Sequence, residues 1–273
     1  MRFATCACCA PAGFMADVLS SPADAPGGGG RPALKSAGVV ARDVLEEFAS
    51  ASRILADQGV FDAFGHISMR HPADPNRYLM SRSQAPALVT ADDILEYDLD
   101  SEAVDPQGRS SFLERFIHGE VYKARPDVQS IVHSHSPSVV PFSLVPNQMR
   151  AMYHNAAFIA EGVPVFDIAE KFGATDMLVG NGEKGRELAR VLGSKPVCLM
   201  RAHGSVATGP SLKHAVFRAV YTEVNAKLQI QATIISGGAP LAALSQEEGR
   251  IADTVNVANV GRPWDMWKRR VGN

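Results

Sequence analysis

The sequence predicts one α/β domain, and three observations carry that prediction. Apolar runs of strand length alternate with stretches of helical periodicity from Val39 onward. Two strand-like runs flank the turn His71-Pro72-Ala73-Asp74-Pro75, the pattern of an antiparallel hairpin with a longer loop. Neither an internal repeat nor a linker interrupts the chain after residue 36. With 273 residues, 46% of them hydrophobic and 21% charged, the chain is long enough for a well-buried core and ordinary for a soluble globular protein.

Residues 1–36 are poor in large apolar side chains and rich in Gly, Pro and Ala, so they are expected to form a disordered or loosely attached tail ahead of a single domain over 37–273. Val40, Val44, Leu45, Phe48, Ala51, Ile54 and Leu55 then recur at helical spacing until Gly59. Ala63–Arg70 reads as a glycine-opened strand, Arg77–Ser81 as its partner, and Ile94–Leu99 continues the β pattern. A loop through Pro106-Gln107-Gly108-Arg109 leads to a helix over Phe112–Ala124, closed by Arg125-Pro126. Next come the strand around Ser130–His135, a partly apolar segment at Val139–Phe142, a helical stretch near Met152–Glu161 and a short strand at Val163–Phe166. Helix Gly182–Leu192 precedes strand Val197–Met200, and Ser211 opens a long helix to about Ile235 with Ala215, Val216, Ala219, Val220, Val224 and Leu228 as its buried stripe.

Composition narrows the function classes. A formal net charge of −2 with no Lys/Arg cluster gives no basic field for nucleic acid. No apolar run approaches the roughly 20 residues that span a bilayer. Cys6, Cys8 and Cys9 crowd the N-terminus, but no second cluster completes a four-ligand zinc spacing, and Cys198 sits in an apolar strand as a small buried hydrophobe. Without a disulfide framework or an apolar segment after Arg2, the expected compartment is the cytoplasm.

The chemistry centres on Ser130-Ile131-Val132-His133-Ser134-His135. Side chains alternate along a strand, so His133 and His135 point the same way, an arrangement that suits a divalent transition metal or, alternatively, two histidines bonded to neighbouring carbonyls. Glu114 completes a Ser-x-x-Glu helix capping box with Ser111, or else is a carboxylate held beside a metal as ligand or general acid/base. His203 follows another apolar strand, as a third ligand or as a loop histidine bonded to backbone. His66, after Gly65, and His154, beside Tyr153, are candidates to line the same pocket or simply polar residues at element ends. His71, His118 and His214 read as exposed and are given no role.

The set Phe64-Gly65-His66-Ile67-Ser68, Ser110-Ser111-x-x-Glu114, His133-Ser134-His135 and Ala202-His203-Gly204-Ser205-Val206-Ala207-Thr208-Gly209 resembles the class II aldolase/adducin superfamily over about residues 38–236. The resemblance implies a three-layer α/β/α fold around a mainly antiparallel or mixed sheet, and assembly as a homotetramer with sites at subunit interfaces. It also implies a divalent metal, Mn²⁺ or Zn²⁺ first and Co²⁺ or Fe²⁺ next, held by His133, His135 and His203, with Glu114 as fourth ligand or acid/base. Sugar-phosphate aldolases and epimerases of the family carry Gly-Asn where this chain has Gly65-His66. The phrases around His66 and Tyr78-Leu79-Met80-Ser81-Arg82-Ser83 look instead like the decarboxylase branch, which acts on hydroxylated aromatic or pyridine dicarboxylates.

What the resemblance implies is therefore a metal-dependent carboxy-lyase of an ortho-hydroxy aromatic or heteroaromatic (di)carboxylate in a catabolic pathway. Glu114 or a metal-bound water would supply the proton, with His154 in reserve. His66, Ser81, Arg82, Ser110, Ser111 and Tyr153 would bind the substrate, and Arg82, whose guanidinium matches a carboxylate in bidentate fashion, would grip a second carboxylate or else lie on the surface. The alternatives are a class II aldolase or epimerase acting on a sugar phosphate or hydroxy-acid, and a non-catalytic adducin-like module. Retention of Glu114 and all three histidines speaks against the module.

Overall fold

The structure is a computed structural model that describes residues 34–146 and 149–272; the cysteine cluster at residues 6–9 and most of the N-terminal tail lie outside the described residues. In chain order the elements are α1 (Arg42–Asp57), β1 (His66–His71), β2 (Asp74–Ser81), β3 (Ile94–Asp98), β4 (Ala103–Val104), α2 (Arg115–Ala124) and β5 (Ser130–Ser134). They continue with β6 (Val165–Phe166), α3 (Ile168–Phe172), α4 (Gly182–Leu192), β7 (Val197–Met200), β8 (Gly204–Gly209), α5 (Leu212–Ile235), α6 (Gln246–Ala258) and α7 (Gly261–Arg270).

The strands form one sheet in the order β4-β3-β2-β1-β5-β8-β7-β6. Every pairing is antiparallel except β6 with β7, so the sheet is mixed but mainly antiparallel. Period-two alternation gives it two apolar faces. On one face Ile67, Val132, Val197, Leu199 and Ala207 pack with Phe48, Ile54 and Leu55 of α1, Val216 and Val220 of α5, and Trp264 of α7. On the other, Tyr78, Met80, Leu95, Tyr97, Ile131, Cys198 and Val206 pack with Ile117 and Val121 of α2 and Leu188 and Leu192 of α4. Helices on both faces of one sheet make the predicted three-layer α/β/α architecture.

Several local readings are corrected. The helix expected from Phe112 begins at Arg115, and its N-cap residue, Glu114, makes no side-chain cap bond; the Ser-x-x-Glu pattern is not used as a capping box. The stretch at 152–161 is a kinked 3₁₀ segment, His154–Ile159, because Ala156 has non-helical dihedrals. At the end of the predicted tail, Ser36 and Ala37 are fastened to the Glu96 carboxylate at 2.6 and 2.9 Å. Arg70 is buried on β1, where its guanidinium donates to the carbonyls of Val128, Tyr122, Arg125 and Pro75, tying the end of α2 to the sheet. No described helix is long and apolar enough to cross a membrane.

Candidate metal centre

The centre lies at the end of β5, on the sheet face covered by α2. His133 shares that face with Ile131, and the pairing of Ser134 with Ser205 brings the β7–β8 turn alongside His135. That turn, Arg201-Ala202-His203, is tight enough to put Ala202 at φ 55°. Gly204 follows, and its backbone lies so close to the Ser134 carbonyl that a Cβ would overlap that oxygen and crowd the His135 ring at 3.2 Å. Gly204→Ala is thus expected to push β8 off β5 and misplace both histidines. The cost is about 1–3 kcal/mol of stability, read as a lowered Tm with reduced metal content.

One donor atom each from Glu114, His133, His135 and His203 lie within 4.8 Å of one another. The hydrogen bonds on their far sides fix the tautomers. His133 Nδ1 is 3.2 Å from the Ser205 carbonyl and His203 Nδ1 is 3.0 Å from the Met177 carbonyl. A carbonyl only accepts, so both Nδ1 atoms carry hydrogen and, in the neutral rings, both Nε2 atoms present bare lone pairs. Each Nε2 is 3.3 Å from Glu114 Oε2, and His203 Nε2 is also 3.1 Å from His135 Nε2. The other Glu114 oxygen accepts from the Val179 amide at 2.9 Å, which holds the carboxylate in place.

Lone pairs converging this closely on a buried point need positive charge between them. His133 Nε2 is buried, lies outside hydrogen-bond geometry with Glu114 and has no hydrogen-bond partner among the described residues. A proton on His203 would answer one of the two carboxylate contacts and leave His133 unanswered. Burial pushes the Glu114 carboxyl up, but the His133 and His203 rings outweigh it and hold Glu114 well below the usual carboxylate range. Burial, with the neighbouring His133 and His203, pulls His135 down to about 4, while at His203 the Glu114 carboxylate more than reverses the effect of burial. Three imidazoles and a carboxylate with carbonyl-anchored far nitrogens suit a divalent transition cation, so the residues present fit the metal that the sequence predicts.

Beside the cluster is a cavity of about 520 Å³ whose walls include Ala63, Phe64, Ala85, Phe112, Leu113 and Leu178, with Glu114, His133 and His135 at its base and Ser83 and Gln84 on its rim. His66 lines it too, directly across the β1–β5 ladder from His133, with the two rings 5.0 Å apart. The other predicted substrate residues are placed differently. Arg82 is ion-paired to Asp93 at 2.6 Å, and the cavity is met by its neighbours Ser83 and Gln84. Ser81 is buried at the end of β2. The Ser110 carbonyl accepts from the Ser83 amide at 2.8 Å and Ser111 Oγ accepts from the Tyr97 hydroxyl, so both shape the loop from behind. Tyr153 packs beside Tyr221 in the opposite core, and His154 is exposed with its carbonyl bonded to Asn256; neither lines the cavity.

His118, read as exposed, is wholly buried, and so are His71 and the Ser68 and Tyr122 side chains that join His118 behind His66. The signal for this group was present as spacing: His66 and Ser68 alternate onto one strand face, and His118 and Tyr122 stand one helical turn apart.

A profile described as "Class II Aldolase and Adducin N-terminal domain" matches residues 46–230. The decarboxylase tropJ of Talaromyces stipitatus is 35% identical over 248 residues, covering 83% of this chain and 93% of that protein. The 3,4-dihydroxyphthalate decarboxylase of Arthrobacter keyseri is 31% identical over 207 residues, 70% of this chain and 79% of its own length. Among solved structures, an aldolase II superfamily protein from Pseudomonas syringae superposes with a TM-score of 0.71 at 24% identity over 85% of this chain and 94% of that one, which supports the fold. The family match and the two decarboxylase relatives place this chain in the class II aldolase/adducin superfamily, within its decarboxylase branch.

Proposed function

We propose that the protein is a divalent-metal-dependent decarboxylase of an ortho-hydroxy aromatic or heteroaromatic carboxylate, acting in a catabolic pathway. The observation that carries this reading is the pairing of the Glu114, His133, His135 and His203 cluster with a cavity whose walls include the apolar Phe64, Phe112, Leu113 and Leu178, a lining that suits an aromatic ring with a polar edge toward the cluster. No Lys or Arg is among the described residues lining that cavity, and its walls are mainly apolar. The relatives named as decarboxylases support the same reading.

In this account a metal bound at the cluster would stabilise negative charge on the substrate oxygen next to the bond that breaks. The apolar walls hold the ring and keep water from it. His66 bonds an oxygen of the substrate, and Glu114, a carboxylate fixed through one oxygen by the Val179 amide, keeps its other oxygen at the reacting edge, where it takes the proton of the substrate's hydroxyl and returns it to the ring carbon that loses CO₂. Phe64 and Leu113 are 66% and 60% exposed at the mouth of the cavity, which fits completion of the site by a second subunit of a homotetramer.

A panel of hydroxylated phthalates and pyridine dicarboxylates, assayed for CO₂ beside sugar-phosphate cleavage, tests the substrate class. CO₂ from an aromatic acid is the expected result. Cleavage of a phosphorylated sugar without CO₂ would assign the centre to an aldolase instead.

A further inference from the structure

A hydrogen-bonded chain runs from the cavity into the core. His66 Nδ1 is 2.7 Å from His118 Nε2, His118 Nδ1 is 2.6 Å from Ser68 Oγ, and Ser68 Oγ is 2.8 Å from the Tyr122 hydroxyl. All four side chains are buried, His118 and Ser68 completely.

The polarity of this chain is set at its inner end. Ser68 is the one hydrogen-bond partner of the Tyr122 hydroxyl among the described residues, and burial holds the phenolic proton on by pushing its pKa well up. A buried O–H without an acceptor is costly, so Tyr122 donates to Ser68. Ser68, having accepted, donates its own hydrogen to His118 Nδ1. Neutral His118 then carries its hydrogen on Nε2 and donates to His66 Nδ1, which leaves the hydrogen of neutral His66 on Nε2. That nitrogen has no protein partner among the described residues, and the ring lines the cavity. Reversing the chain would strand the Tyr122 hydrogen against apolar core. Neither imidazole is bonded to a carboxylate, and Tyr122 is a dead end, its ring covered by the Arg70 guanidinium at 4.6 Å, so the chain orients hydrogens and does not conduct protons to solvent.

We infer that Tyr122, Ser68 and His118 are positioning residues that lock His66 as an Nε2–H donor, so that the cavity accepts substrates presenting an oxygen acceptor beside the metal cluster and rejects those presenting an N–H there. Identifying that acceptor as a substrate carboxylate rests on the decarboxylase reading; the tautomer itself does not.

The test is ¹⁵N NMR of the full-length, zinc-loaded protein labelled at histidine, with the His66 signals identified by their loss in His66→Gln. The expected spectrum has hydrogen on His66 Nε2 and a bare Nδ1. Tyr122→Phe, which keeps the ring but removes the hydrogen that starts the chain, and Ser68→Ala, which breaks it one step later, should each give a mixture of tautomers. The loss of one oriented hydrogen bond should raise KM for a productive aromatic acid about 3- to 10-fold with kcat changed less than about 2-fold. Hydrogen on His66 Nδ1 in the unsubstituted protein, or Tyr122→Phe and Ser68→Ala that leave both tautomer and KM unchanged, would overturn the inference. An Nε2–H His66 in a protein that releases CO₂ from no aromatic acid supports the tautomer assignment and contradicts the decarboxylase reading.

Discussion

His133→Ala loses bound metal and CO₂ release together. His133 contributes a buried Nε2 that has no hydrogen-bond partner among the described residues, 3.3 Å from Glu114 Oε2, and its ring is anchored through Nδ1 to the Ser205 carbonyl. Alanine removes one of four converging ligands. Changing a group that merely orients a ligand already costs about 10- to 100-fold in metal affinity, so loss of the ligand itself should cost more than about 100-fold. The side chain sits at the edge of the core, and shortening it leaves the Ile131 and Val132 packing of β5 intact, so circular dichroism should show a folded protein. Stoichiometric metal measured in this variant after dialysis would remove His133 from the ligand set.

Glu114→Gln is the second large effect. The amide oxygen can still accept from the Val179 N–H, so the side chain keeps its place while its negative charge and its ability to exchange a proton are lost. Removing a positioned acid/base group lowers kcat by about 10²- to 10⁴-fold. At saturating metal the variant is expected to bind the ion and fail in turnover. A kcat within tenfold of the unsubstituted enzyme would transfer the proton step to another group.

Much of this was legible in the sequence, for reasons that can be named. His133 could be read because a strand of apolar residues fixes the face on which each side chain falls, and His203 because the same pattern in Val197–Met200 delivers the following turn to the same end of the sheet. Glu114 was read two ways because Ser-x-x-Glu serves both capping and coordination; the capping bond is not made, and one carboxylate oxygen accepts instead from Val179, 65 positions away. His118 was misread because α2 is buried on the side that carries it, so a polar residue on an amphipathic helix lies under the sheet with Ser68 and His66 as its partners. Arg82, read either as a grip for a carboxylate or as a surface residue, is ion-paired to Asp93, a partner eleven positions away that no local pattern announces. The helices α6 and α7 escape pattern reading because few of their residues are buried, Gly249 and Asn256 in one and Trp264 and Trp267 in the other.

The most direct measurement is CO₂ release from 3,4-dihydroxyphthalate and its hydroxylated relatives by purified protein as isolated, after chelator treatment, and after reconstitution with Mn²⁺ or Zn²⁺. The account predicts release that the chelator abolishes and one of these ions restores. Release that persists undiminished with the metal fully removed would contradict it.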